Sequence, residues 1–224
     1  QFTSPGNDVS SGTFIEDVHI DEDVKRALGK DGYVMGFSSP VYDEVGRTIA
    51  FWSNRANFSV VENMFQDTYR KLKDVGFPGA ELTLIDENGR VILDYDPSTT
   101  NTEGIVRNFD VLMKLNLVEG GVAVAQKAVK GESGVETSVH ARKQISQVGA
   151  YTHLHGALGY PGMNWAVLVR VPEEEALAGP IAVQKQVVLT GMICLALILP
   201  VGWWVGRRGA NSLIQVSEVA QRAA

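Results

Sequence analysis

Charge is missing where it matters most: from Val187 to Gly206, "VVLTGMICLALILPVGWWVG", the chain carries none. The sequence also holds a single cysteine, Cys194, which rules out an internal disulfide framework. Cys194 lies inside the uncharged run, where it is expected to be a packing residue without a redox role. No long basic stretch exists and the net charge is −6, so nucleic acid is not an expected partner. Nucleophile elbows, phosphate loops and paired zinc motifs are absent, and "GESG" at Gly131–Gly134 lacks the flanks of a hydrolase serine. No enzyme activity and no cofactor are expected. The chain opens on Gln1, shows no signal peptide, and is expected to be a processed chain or a fragment.

What is present begins with that apolar run. At 1.5 Å per residue, about 20 residues cross a hydrocarbon core of roughly 30 Å. Trp203 and Trp204 stand near its end, as interfacial aromatics do, and Arg207 and Arg208 follow. This predicts one transmembrane helix in an inner (cytoplasmic) membrane, with the C-terminal tail cytoplasmic and the N-terminal part extracytoplasmic. Pro200 is tolerable in such a helix.

Upstream, residues 1–12 are Gly/Pro/Ser-rich and predict a loop, and a short helix is expected around Asp23–Leu28. Two acidic–Gly–Arg turns follow, "DEVGR" at Asp43–Arg47 and "DENGR" at Asp86–Arg90, each between apolar runs. Both predict antiparallel hairpins, the second through an Asn-Gly type I′ turn with positive φ at both central positions. Between them, Val60, Val61, Met64, Phe65, Tyr69 and Leu72 form a helical stripe, with Ser59 as cap and Gly76 and Pro78 as stop. "PSTTNTEG" predicts a loop. "VLMKLNLVEGGVAVAQKAVKG" predicts one or two helices broken near Gly120–Gly121. Three strands follow, in "GVETSVHA", "QVGAYTHLHG" and "NWAVLVRV", with a turn at Gly159–Gly162 before the last. An exit helix over Pro172–Gln186 has Pro172 in its first turn and three glutamates suited to the helix dipole. From Glu81 the order is strand, strand, helices and three strands. This is an α+β class, a PAS-like five-stranded antiparallel sheet with flanking helices, followed by one transmembrane helix. The sheet is expected to face helices on one side and to enclose a small ligand pocket.

The stretches "FSSPVYDEVGRTIAFWSNR", "ELTLIDENGRVILDYDP" and "GYPGMNWAVLVRVPEEEAL", followed by a membrane helix, resemble the double Cache sensor region of bacterial methyl-accepting chemotaxis proteins. The resemblance covers about Phe14 to Arg208. It implies a membrane-distal module ending in residues 1–62, a membrane-proximal PAS-like module over 63–180, an exit and transmembrane helix over 181–206, and a HAMP-like cytoplasmic start over 207–224. That tail lacks the proline common early in HAMP helices. The resemblance further implies a fragment cut at both ends, a homodimer, and cytoplasmic signalling partners acting through a domain beyond Ala224. The same sensor on a histidine kinase or nucleotide cyclase, or a membrane-anchored binding protein without output, are the alternatives.

Members of that family often hold a ligand in the distal module, with an aspartate on its final strand taking the amine of an amino acid. Here the matching stretch offers Asn54 and Arg55, with Tyr42 and Trp52 as aromatic walls. A small carboxylate held bidentately by Arg55 is the resulting expectation. The alternative is a surface Arg55 paired with Asp43 or Glu44. His153 and His155 share a strand face, but no cysteine or carboxylate near them or His140 has ligand spacing, so no metal site is expected.

Overall fold

The computed structural model describes residues 12–140, 142–157 and 160–222, which form two compact units, Gln1–Ala176 and Leu177–Ala224. The first unit holds two antiparallel sheets. Strands β1 (Phe14–Ile20), β2 (Tyr33–Tyr42) and β3 (Thr48–Asn57) form one, in that order. The other comprises β4 (Glu81–Ile85), β5 (Val91–Tyr95), β6 (Gly134–Val139), β7 (Ser146–His153) and β8 (Ala166–Pro172), in the order β5-β4-β8-β7-β6. This is the expected PAS-like sheet. Helix α1 (Glu22–Leu28) links β1 to β2, and α2 (Ser59–Asp74) links the two sheets. The short α3 (Pro97–Thr100) and α4 (Ala123–Ala128) lie between β5 and β6, and α5 (Glu173–Ala176) follows β8. The second unit is the single helix α6, Ala178–Arg222.

Several expectations are corrected. The Phe14–Gly29 segment contains a strand, β1, that its acids obscured. "PSTT" is not loop but a helical turn capped by Asp96, whose side chain accepts from the Thr99 N–H. The helix expected before Gly120 does not form. Its backbone instead bonds to the β4–β5 hairpin, with Met113 N–H donating to Val91 O and Leu117 N–H to Gly89 O. Asn116 favours this path, because its side chain accepts from the Val118 and Glu119 N–H groups and so competes with a helix. Pro172 ends β8 rather than opening a helix, and the expected exit helix is divided into α5 and α6. Ser59 is not the cap of α2: it is the first helical residue, and its N–H donates to Asn57 Oδ1. Gly159, and the predicted loop before Gly12, lie outside the described residues.

The two turns share one construction. In each, the aspartate N–H donates to the arginine O (2.9 Å) and the glycine N–H to the aspartate O (3.0 Å). One carboxylate oxygen accepts two backbone N–H groups, and the other takes the arginine Nε, at 2.8 Å for Asp43–Arg47 and 2.9 Å for Asp86–Arg90. Only the glycines have positive φ, +80° at Gly46 and +85° at Gly89; Asn88 does not. The second turn is therefore not type I′. The aspartate side chain organises the loop, and a left-handed glycine closes it beside a bulge in the strand pairing.

Helices lie on both faces of the five-stranded sheet, not one, with α2 over β4 and β5 on one face and α4 over β6, β7 and β8 on the other, while β6 leaves Val135 and Val139 exposed. Tyr95 packs edge-to-face on Tyr69 of α2 at 5.3 Å. On the other face Val124 of α4 sits over Gly149. α2 turns Val61, Phe65, Tyr69 and Leu72 toward the core but leaves Val60 and Met64 exposed. Glu62 takes an inward position instead, only 4% exposed. Arg107 explains this: its Nε and Nη2 each lie 2.7 Å from a Glu62 carboxylate oxygen. Its Nη1 bonds Asp31, and its guanidinium lies 5.4 Å from the centre of the Tyr33 ring. Tyr33 is fully buried between Phe58 and Phe109 and donates to Ile92 O of β5 at 2.7 Å.

α6 contains a 30-residue stretch, Ala178–Arg207, whose most apolar window has mean hydropathy 2.1 and is nowhere buried. It is long and apolar enough to cross a membrane. Cys194 is exposed on it, and Arg207 stacks over Trp203 at 5.1 Å.

Two tests follow from this packing. A Cβ on Gly46 meets open space, whereas one on Gly89 would lie 2.3 Å from Val118 Cγ2. Gly46→Ala should lower stability by about 1 kcal/mol of backbone strain, and Gly89→Ala by a further 1–3 kcal/mol or so from the clash, read from denaturation midpoints of the chain in detergent. Equal losses would show that Val118 yields freely. Arg107→Met strands a buried Glu62 carboxylate and should remove about 3–5 kcal/mol. Arg107→Met combined with Glu62→Leu should recover most of that loss by the same measurement.

Candidate ligand-binding site

The four residues expected at a site are placed on β2 and β3 but are not gathered. Trp52 and Asn54 alternate onto one face of β3 and Arg55 onto the other. Trp52 lies opposite Ser39, Asn54 opposite Phe37 and Arg55 opposite Gly36. Tyr42 pairs with Thr48 beyond a register shift, and both Tyr42 and Trp52 are more than half exposed. Arg55 is engaged, but with neither partner that the sequence suggested. Its Nε bonds Asp21 at 2.8 Å and its Nη2 lies 3.9 Å from Glu16. Hydrogen bonds from the Val24 N–H and from Arg55 hold the Asp21 carboxyl below its usual range. Asp43 is taken by its own turn.

The structure instead gathers polar groups on the α4-covered face of the five-stranded sheet. Register places Glu81 opposite Arg170 and Arg170 opposite Gly149, with Thr83 opposite Asp94 in the next row. Glu81, Arg170 and His140 are each at most 2% exposed. His140 Nε2 lies 2.9 Å from Glu81 Oε2. His140 Nδ1 accepts from the Arg142 and Lys143 N–H groups at 3.0 and 2.9 Å, which puts the ring proton on Nε2, facing Glu81. Lys143 bridges Glu81 and Asp96, Arg142 binds Asp94 at 2.6 Å, and Arg170 Nη2 donates to Thr83 Oγ1 at 2.7 Å. Burial pushes the Glu81 carboxyl up, but His140, Arg170 and Lys143 outweigh it and leave it below the usual range.

Not every polar atom here is satisfied. The Gln147 amide, fully buried, has no partner at either end, and Arg170 Nε and Ser138 Oγ have none. Sequence reading passed over these residues because each looks like an ordinary outward position of a strand exposed on one face. The available signal was placement: Glu81 and Thr83, and then Arg170, interrupt apolar runs at period two in strands covered on both faces. The histidines do not assemble. His140 faces Glu81, whereas the His153 ring lies 5.3 Å from that of His155 and its Nδ1 is 3.3 Å from Ala128 O. Among the described residues no group of metal-ligating side chains converges.

No family model matches the sequence, and no curated protein is similar to it. Among solved structures, the chain is similar to the periplasmic sensory domain of the Campylobacter jejuni chemoreceptor Tlp1 (18% identity, TM-score 0.49, 73% of this chain and 50% of that one). It is also similar to the ligand-binding domain of the Pseudomonas aeruginosa amino acid chemoreceptor PctB in complex with L-arginine (13%, 0.43, 79% and 62%). A third is that of the Pseudomonas fluorescens chemoreceptor CtaA in complex with L-leucine (11%, 0.40, 76% and 58%). The chain thus spans about half to three-fifths of the length of these domains.

The polar face has a pH signature. Burial raises the Asp96 carboxyl, but hydrogen bonds from Ser98 and the Thr99 N–H and the Lys143 ammonium more than offset this, lowering it to about 2 from 3.8. A depressed carboxylate stabilises the fold fully above the unfolded value, and that share is lost as pH falls toward 2. Stability should therefore decline between about pH 4 and 2, and Asp96→Asn should flatten this acid limb in melting temperatures taken across that range.

Proposed function

We propose that this chain is the sensory segment of a transmembrane receptor. Its first unit binds a small extracytoplasmic molecule and passes the change through β8, α5 and α6. The supporting observation is a PAS-like sheet whose helix-covered face is buried yet polar and incompletely satisfied, in the same strand that leads into a membrane-length helix. A purely structural sheet buries apolar residues at such positions; a recognition surface keeps hydrogen-bonding groups there. No catalytic step is assigned to the unit.

In this reading the arrangement is that of a double Cache sensor, with residues 1–62 in a distal module and the five-stranded sheet as the proximal one. The C-terminal end of α6 is cytoplasmic, in keeping with Arg207 and Arg208 and the Trp203–Arg207 stack at the helix end. The helical course of α6 through Arg222 suits a HAMP-like continuation into a chemoreceptor output. A homodimer gives each α6 a neighbour to move against, and a ligand acts by its different affinity for two arrangements of that pair.

Cys194, exposed on α6 and the chain's one thiol, reports on this directly. In lipid nanodiscs at two copies per disc, mild oxidation should give a disulfide-linked dimer, or do so once cysteine is moved along Ile193–Ala196. A metabolite that raises the melting temperature should change the crosslinking rate. Ligands that stabilise the chain yet leave every crosslinking rate unchanged would remove the signalling role and leave a membrane-anchored binding protein.

A further inference from the structure

We propose that the α4-covered face of the five-stranded sheet holds a small, uncharged molecule with a hydrogen-bond donor beside an acceptor, of the carboxamide, lactam or pyrimidine-edge class, at Gln147, Arg170 and Ser138. The inference rests on the sensor reading and gives it a site and a ligand chemistry.

Three placements carry it. Ser138 and Gln147 are directly opposite across β6 and β7, and Gln147 is opposite Pro172 on β8. Arg170 stands two residues before Pro172 on the same face, opposite Gly149. Facing side chains on adjacent strands lie within about 5.5 Å at Cβ and diagonal ones within about 8 Å. Gln147 of β7 thus stands between the other two, facing Ser138 of β6 and diagonal to Arg170 of β8, and a small molecule seated on its amide meets one neighbour on either side. Gly149, lacking a side chain, lets α4 pack closely onto this row. Val124 of α4 comes within 3.2 Å of where its Cβ would stand, roofing the row beside Gln147.

The unused hydrogen-bonding groups define the complement. Gln147 Nε2 and Arg170 Nε are donors, and they call for a carbonyl or ring acceptor. Gln147 Oε1 calls for an N–H or O–H, and the Ser138 hydroxyl turns to suit either. A fully buried carboxamide with both ends free is disfavoured relative to an apolar side chain of similar size. Its presence makes sense where a partner with the mirror pattern enters. Charge selects a neutral partner. Arg142, Lys143 and Arg170 are matched by Glu81, Asp94 and Asp96, and His140 is already engaged, its Nδ1 accepting two N–H groups and its Nε2 facing Glu81. A carboxylate or ammonium ligand would leave a buried charge uncompensated. The site also lies at the end of β8: Ser146, next to Gln147, donates to the carboxylate of Glu173, the first residue of α5.

The test uses the full chain in nanodiscs with acetamide, nicotinamide and uracil as probes and acetate as the charged control, followed by saturation-transfer NMR. At least one neutral probe should bind, acetate should not, and Gln147→Leu should weaken the binding at least tenfold. Gln147→Glu, close to isosteric, keeps the test valid if the leucine variant misfolds, and should also abolish binding. Absence of binding by all three neutral probes, with Gln147→Leu raising the melting temperature, would overturn the proposal and assign Gln147 to an ordered water only. A metabolite that shifts Cys194 crosslinking but binds Gln147→Leu as tightly as the parent chain would overturn this site and leave the sensor reading standing.

Discussion

The ion pair between Arg107 and Glu62 is the constraint on which the first unit depends. It fixes the loop after α3 onto the first turns of α2, and through Asp31 it reaches the segment between α1 and β2. Beneath it, Tyr33 is clamped by two aromatic rings above and by its hydrogen bond to β5 below. The smaller sheet is thereby attached to the larger one through a polar group that water barely reaches. Such a pair adds little net stability against a hydrophobic alternative, because both charges must be desolvated. What it supplies here is a directional tie between segments of two sheets that do not share a strand, with each Glu62 carboxylate oxygen met by one guanidinium N–H.

Much of the architecture was legible in the sequence because period and punctuation agreed. The hairpins at Asp43–Arg47 and Asp86–Arg90, the helix from Ser59 to Asp74 and the three closing strands all had apolar periodicity bounded by glycine or proline. The uncharged run around Cys194 admitted few readings other than a membrane-length helix. Failures came where tertiary contacts overrode local preference. Val60 and Met64 belong to a plausible helical stripe, yet Glu62 faces inward because Arg107 is there to meet it. Residues 111–121 have good helix formers, yet Asn116 and the free edge of the β4–β5 hairpin hold them extended and turned. β1 was unreadable because its apolar residues are interspersed with acids and shifted by a bulge.

The candidate site was less legible than the fold. A site on β3 was suggested by aromatic and basic residues close in sequence, but strand alternation sends Arg55 away from Trp52 and Asn54, and Asp21 supplies its counter-charge from another element. The polar face of the larger sheet draws on β4 through β8 and the turn after β6, a convergence that only strand order can reveal. Glu81 and Arg170 are 89 positions apart in the chain and directly opposite in the sheet. No local motif encodes that pairing.

β3 has a further consequence, for how the molecule behaves in solution. Among the described residues it is an edge strand exposed along nearly its whole length, with Ile49, Phe51 and Trp52 each about two-thirds exposed or more. It has neither the proline nor the lysine with which sheets commonly guard a margin. An unguarded apolar margin with free N–H and C=O groups is a template for another strand. Those ten residues of backbone therefore give the chain a surface for pairing with itself or with other extended polypeptides that is separate from the apolar surface of the membrane-length helix.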